Sequence, residues 1–131
     1  MITHIHSATI IVTDIDRAVD FYTNKLGFQI TVDAQPSPEM RFVTVNPQGS
    51  PTGIALGQAD WFEPARPAGG TSGFNFSTKD IDATYADLSA KGVEFTGPVQ
   101  TEAWGQKTTW IIDPDGNQIY LVEEMAFPIA S

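Results

Sequence analysis

The sequence lacks cysteine and is poor in basic residues, and both shortages exclude classes of function. Without cysteine there are no disulfides, thiolate nucleophiles, iron–sulfur clusters or cysteine-ligated zinc sites. The 131 residues carry 7 Lys and Arg against 16 Asp and Glu, which gives a formal net charge of −9. Such a chain repels phosphate backbones, which argues against nucleic acid as a partner, but its field attracts a cationic small molecule.

Long apolar runs are also absent. No uninterrupted run exceeds four or five residues, whereas a membrane-spanning helix needs about 20. The N-terminal residues MITHIHSATI lack the basic stretch and apolar core of a signal peptide. We therefore expect one cytoplasmic domain with no membrane partner, because this length suits a single core.

An internal repeat organises the chain. Asp14–Lys25 reads DIDRAVDFYTNK and Asp80–Lys91 reads DIDATYADLSAK, an offset of 66 residues. The turn NPQG at Asn46–Gly49 returns as DPDG at Asp113–Gly116, an offset of 67. Two landmarks with nearly the same offset indicate a duplicated module. The prediction is one domain, 1–131, with module 1 at about 1–57, a linker at 58–72 that is rich in Pro and Gly, and module 2 at about 73–124.

Each module has the pattern of a strand, a helix and three further strands, or βαβββ. The opening Asp of each helix is a suitable N-cap, apolar residues follow at three-to-four spacing, and Gly27 or Gly92 stands where a left-handed C-terminal cap is needed. The predicted strands are Ala8–Val12, Phe28–Val32, Arg41–Val45 and Gly53–Leu56 in module 1, and Gly73–Ser77, Val93–Phe95, Thr108–Ile112 and Gln118–Val122 in module 2.

The two helix segments, together with the terminal WG and DPDGNQIYLVE, resemble the vicinal oxygen chelate superfamily, which includes glyoxalase I, extradiol dioxygenases and bleomycin-binding resistance proteins. The resemblance covers nearly the whole chain. It implies an α+β fold in which two βαβββ modules form a curled mixed sheet around a cavity. It also implies a homodimer that shares or swaps modules, but it does not fix the activity.

Enzymes of this superfamily usually hold a divalent metal. By the resemblance, the ligand positions fall on Ser7, Ala55, Gly73 and Tyr120, none of which offers imidazole or carboxylate. We therefore expect no metal and no cofactor. The alternative is a displaced metal site at His4 and His6, two residues apart on a strand, serving a glyoxalase-like lyase, isomerase or dioxygenase.

A metal-free pocket would bind through its polar and aromatic side chains. If Ser7, Gly73 and Tyr120 face the cavity, as the resemblance implies, strand alternation turns Thr9 and Asn75 toward it as well. The face taken by Arg41 and Phe42 stays open. Loop and strand tryptophans either plug the sheet or contact a ligand. The candidate ligand-binding residues are Ser7, Thr9, Phe42, Trp61, Asn75, Trp104, Trp110 and Tyr120.

Loop carboxylates are the remaining candidates for metal-free catalysis. Asp60, Glu63 and Glu102 lie in loops that could reach the pocket mouth, but in so acidic a chain a solvated charge is the simpler interpretation.

The leading hypothesis is a metal-free protein, with no catalytic residues, that sequesters an aromatic, largely apolar or cationic natural product such as an antibiotic. A structural dimer with a collapsed pocket is a third possibility.

Overall fold

The computed structural model describes residues 1–126, in which each sequence repeat builds its own β-sheet. Module 1 contains β1 (Ser7–Ile11), α1 (Ile15–Asp20), β2 (Gln29–Ser37), β3 (Met40–Asn46) and β4 (Gly53–Gly57). Module 2 contains β5 (Gly70–Thr78), α2 (Ile81–Ala90), β6 (Glu94–Phe95), β7 (Gln100–Thr101), β8 (Lys107–Ile112) and β9 (Asn117–Glu123). The α+β fold with two βαβββ units is confirmed.

The two sheets share one topology. Sheet 1 has the order β1-β4-β3-β2 and sheet 2 the order β5-β9-β8-β6, and in each the first and last strands of the module pair in parallel. Sheet 2 also contains β7, which pairs with β8 and was not predicted. Strand β5 begins at Gly70, three residues before the predicted strand and inside the segment read as linker.

Both helices begin and end where the sequence predicts. The Asp14 carboxylate accepts from the Arg17 N–H and the Asp80 carboxylate from the Ala83 N–H, each at 3.1 Å. Gly27 and Gly92 have φ angles of 79° and 84°, which favour glycine because a Cβ is strained there. One detail was not predicted: α1 runs on into a wider π-helical turn over Phe21–Lys25.

Side chains on one face of each sheet pack beneath the helices and form a shared core. In sheet 1 these include Val43, Val45, Ile54 and Leu56, and in sheet 2 Ile111, Ile119 and Leu121. Phe28 of module 1 packs edge-on against Phe76 of module 2, with ring centroids 5.2 Å apart. The core therefore joins the modules through the helix-covered side. No helix within residues 1–126 is long and apolar enough to cross a bilayer.

A buried polar network, which we call the inter-module network, consists of Tyr22, Asp113, Asn117 and the Ile11 carbonyl. The Tyr22 hydroxyl donates to Asp113 Oδ2 at 2.9 Å. The Asn117 side chain donates to the same oxygen at 2.9 Å and to the Ile11 carbonyl at 2.8 Å. Burial, and then the Asp113 charge, raise the pKa of Tyr22 far above its usual range. Its hydroxyl therefore remains a donor throughout the physiological pH range.

A second contact reinforces this joint at its edge. Arg17 Nη2 on α1 lies 3.0 Å from Asp115 Oδ1, and the Thr13 backbone N–H donates to that oxygen at 3.1 Å. The Asp115 side chain is only 2% exposed although its arginine partner is half-exposed. Residues around the start of α1 are thus tied to the turn before β9 at several points.

Candidate ligand-binding site

The sheet faces that the helices leave uncovered carry most of the predicted ligand-binding residues. These residues divide into two groups, one on each sheet. The first aromatic patch consists of Thr9, Phe42 and Trp61, and the second aromatic patch of Asn75, Trp110 and Tyr120. Ser7 lies two residues before Thr9 on β1 and therefore on the same face as the first patch.

The first aromatic patch is built around Gly57, the last residue of β4. A Cβ at this position would lie 2.7 Å from Thr9 Cγ2 and 3.2 Å from the Trp61 ring, so all three residues share one face. Trp61 sits on a short 3₁₀ turn, Ala59–Trp61, and its ring lies 5.4 Å from that of Phe42. Trp61 is still 37% exposed, which leaves ring surface for a ligand.

The open question of Arg41 and Phe42 is resolved by their contacts. Phe42 points toward Trp61, whereas the Arg41 guanidinium lies 2.6 Å from Asp16 Oδ1 and 3.3 Å from Asp33 Oδ1. Neighbouring residues on a strand face opposite sides. The aromatic ring therefore belongs to the patch, and the cation is held by carboxylates outside it.

We expect Gly57→Ala to damage the first aromatic patch, because the new methyl group would displace the Trp61 ring or Thr9. Overpacking of this kind costs about 1–3 kcal/mol of unfolding free energy. Acrylamide quenching of tryptophan fluorescence should increase, and urea denaturation should record the loss of stability. Gly97→Ala is the matched control, since a Cβ there meets nothing within 4 Å; equal effects of both changes would contradict the prediction.

The second aromatic patch forms a row across three strands. Asn75 on β5 pairs with Tyr120 on β9, which pairs with Trp110 on β8. The Trp110 and Tyr120 ring centroids are 4.6 Å apart. The residues on either side of Tyr120 point into the core instead: Ile119 and Leu121 are buried. This face therefore offers a close, tilted pair of rings beside an exposed amide.

Glu102, which the sequence interpretation treated as a solvated loop carboxylate, adjoins the second aromatic patch. The Thr108 hydroxyl donates to its Oε1 at 2.7 Å and the Tyr120 hydroxyl to the same atom at 3.1 Å. The Glu102 side chain is half-buried. Strand β7 positions it, because β7 pairs with the start of β8 and brings Glu102 beside Thr108. Recognising that hairpin in the sequence would have placed Glu102 on the sheet.

Trp104 lies outside both patches. It occupies the tip of the hairpin between β7 and β8, is 51% exposed, and donates its indole N–H to Gln106 Oε1 at 3.0 Å. Within residues 1–126 its ring stacks on no other aromatic side chain. The structure thus keeps Trp104 near Glu102 along the chain without bringing it to Trp110 or Tyr120.

The residues at the family's metal-ligand positions do not fit a divalent metal. Ala55 pairs with Thr9, Gly73 lies in an irregular part of β5 with φ of 85°, and the Tyr120 hydroxyl is bonded to Glu102. His4 and His6 precede β1 instead of lying on a strand, and both are exposed. Among residues 1–126, no three His, Asp or Glu side chains lie close enough to hold a metal ion.

In the part of the chain that the structure describes, no hydrogen bond or aromatic pair links a residue of one patch to a residue of the other. A cavity of about 430 Å³ lies on the other side of sheet 2, between α2 and Phe76. A smaller one, about 210 Å³, adjoins Glu102 and Trp110.

Fold, duplicated modules and open sheet faces together define a class of small paired-module proteins. Residues 4–121 match the family model of the Glyoxalase/Bleomycin resistance protein/Dioxygenase superfamily, and the chain belongs to this superfamily. A solved member from Sphaerobacter thermophilus is 52% identical, with a TM-score of 0.89 over 94% of this chain and 98% of that one.

Two other similar proteins extend the comparison. TnmS3, an antibiotic binding protein from Streptomyces sp. CB03234, is 34% identical with a TM-score of 0.80, and the match covers 95% of this chain and 98% of that one. The uncharacterized protein YetH of Bacillus subtilis is 31% identical over 124 residues, which are 95% of this chain and 100% of YetH. The superfamily predicted from the sequence motifs is therefore confirmed.

Proposed function

We propose that this protein is a cytoplasmic homodimer that binds and sequesters a flat, largely apolar natural product such as an antibiotic, without metal or cofactor. The observation that carries the proposal is the pair of aromatic patches on uncovered sheet faces. Each patch presents rings from one side only: Phe42 with Trp61, and Trp110 with Tyr120. A planar ligand held by aromatic groups on both of its faces needs the two patches opposite each other.

In the proposed dimer, the first patch of one protomer faces the second patch of its partner. Small-molecule sites are typically concave, mostly apolar and equipped with a few polar groups that orient the ligand. The patches supply the apolar rings, and Thr9, Asn75 and Glu102 supply polar groups beside them. Each well-formed aromatic contact would add about 0.5–1.5 kcal/mol beyond simple area burial.

The similarity to TnmS3 supports a binding function. That protein is described as antibiotic binding, and it shares 34% of its residues with this chain over 95% of the length. The alternative, a metal-dependent lyase, isomerase or dioxygenase, needs imidazole or carboxylate ligands. Serine, alanine, glycine and tyrosine occupy the corresponding positions here, so binding is the better supported of the two functions.

Native mass spectrometry tests the proposal directly. Untagged protein, purified without chelator, should give a metal-free dimer. After incubation with a panel of planar polycyclic compounds, we expect up to two molecules bound per dimer. One divalent metal per site would instead favour the enzyme, and a monomer that binds none of the compounds would contradict the proposed function.

A further inference from the structure

Glu102 is a half-buried carboxylate on a sheet face otherwise lined by aromatic and neutral polar groups. Both of its hydrogen bonds, from Thr108 and Tyr120, end on the same oxygen, Oε1. Among the described residues, no side chain donates to Oε2. The carboxylate is thus fixed in place by two hydroxyls and keeps one oxygen for another donor.

Among residues 1–126, no ion pair joins Glu102 to a basic side chain of the protein. Arg17, Arg41, Lys91 and Lys107 each form an ion pair with an aspartate elsewhere. Lys107, the nearest of the four along the chain, lies 2.8 Å from Asp82 on α2 and therefore on the helix-covered side. Removing a charge from water is costly unless a partner is present. A ligand that covers Glu102 would remove its carboxylate from water. Such a ligand would bind better if it carried the positively charged partner itself.

Resting on the proposed function, we propose that Glu102 recognises a protonated amine on the planar ligand. The ligand class is then a polycyclic aromatic cation, whose rings stack on Trp110 and Tyr120 while its N–H group donates to Glu102. The aromatic faces favour the same charge, because their π systems attract cations. The net charge of −9 would also speed the approach of such a ligand.

The test compares two probes of the same shape. 9-Aminoacridine is a three-ring cation at pH 7, and acridone is an uncharged three-ring compound of similar outline. Their dissociation constants would be measured by calorimetry for wild type, Glu102→Gln and Glu39→Gln. Glutamine keeps the acceptor for Thr108 and Tyr120, so the fold should persist, and the unfolding temperature checks this. Glu39, which is exposed between β2 and β3, is the matched control, because Glu39→Gln removes the same charge by the same chemical change.

Wild-type protein should bind 9-aminoacridine more tightly than acridone. Glu102→Gln should weaken 9-aminoacridine binding about 10- to 100-fold, as expected for a charge-assisted hydrogen bond, and change acridone binding less than about twofold. Glu39→Gln should leave both constants unchanged. If Glu102→Gln and Glu39→Gln behave alike while both probes bind, this inference is wrong and the proposed function stands. If neither probe binds wild type, both are overturned.

Discussion

A mixed dimer of one Trp61→Ala protomer and one Trp110→Ala protomer should bind one molecule of 9-aminoacridine with wild-type affinity, whereas dimers of either variant alone should bind it poorly. In the proposed arrangement, each pocket combines the first patch of one protomer with the second patch of the other. The mixed dimer then contains one doubly damaged pocket and one intact pocket. Truncating a tryptophan at the centre of a binding site typically costs about 2 kcal/mol or more.

The mixed dimer can be prepared by co-expression with two affinity tags, and calorimetry reports affinity and stoichiometry together. A mixed dimer of Trp61→Ala and Phe42→Ala is the matched control. Both of its defects lie in the first patch, so every pocket is damaged under any arrangement. If pockets form within single chains, the Trp61→Ala and Trp110→Ala pair also has no intact pocket. Absence of restored binding would therefore reject the shared pocket.

Asp113→Ala should lower the free energy of unfolding by about 3–5 kcal/mol, because it removes the shared acceptor of several buried donors. The Asp113 carboxylate is 4% exposed and accepts hydrogen bonds from the Tyr22 hydroxyl, the Asp115 N–H and both the backbone N–H and side chain of Asn117. Alanine would leave those donors buried without an acceptor, at about 1–3 kcal/mol each before relaxation.

Urea denaturation at fixed protein concentration measures this effect, since unfolding of the proposed dimer would depend on concentration. Asp87→Ala is the control, because it removes an aspartate that is 62% exposed and pairs with Lys91 on the surface of α2. Such surface pairs contribute about 0–1 kcal/mol. A loss below about 1 kcal/mol for Asp113→Ala would show that the inter-module network does not hold the modules together.

The features that sequence predicted are those encoded over short distances. The helix caps at Asp14 and Asp80, the glycines at positions 27 and 92 and the repeat of strand and helix each depend on residues within a few positions. The repeat then extended that local information to the fold, because two copies of one pattern imply two copies of one structure. Starting from the positions that the resemblance assigned to the cavity, strand alternation likewise placed Thr9 and Asn75 on the uncovered faces.

The features that sequence missed depend on contacts between distant segments. Tyr22 reads as one member of an apolar stripe and Asp113 as a turn residue, and their hydrogen bond spans 91 positions. Glu102 reads as a solvated loop carboxylate until β7 pairs with β8 beside it. Trp104 illustrates the reverse case: it lies near Glu102 along the chain, yet within residues 1–126 its ring stacks on no aromatic ring of either patch.

The repeated turns have diverged in a way that separates two duties. In module 2, Asp113 reaches across to Tyr22. Its counterpart Asn46 in module 1 stays local, donating to the Ser50 carbonyl at 3.0 Å and accepting from Thr31 at 2.8 Å. Only the turn of module 2 thus carries an acid that links the two halves. The turn of module 1 can therefore change in length or sequence without loosening the joint between the two halves.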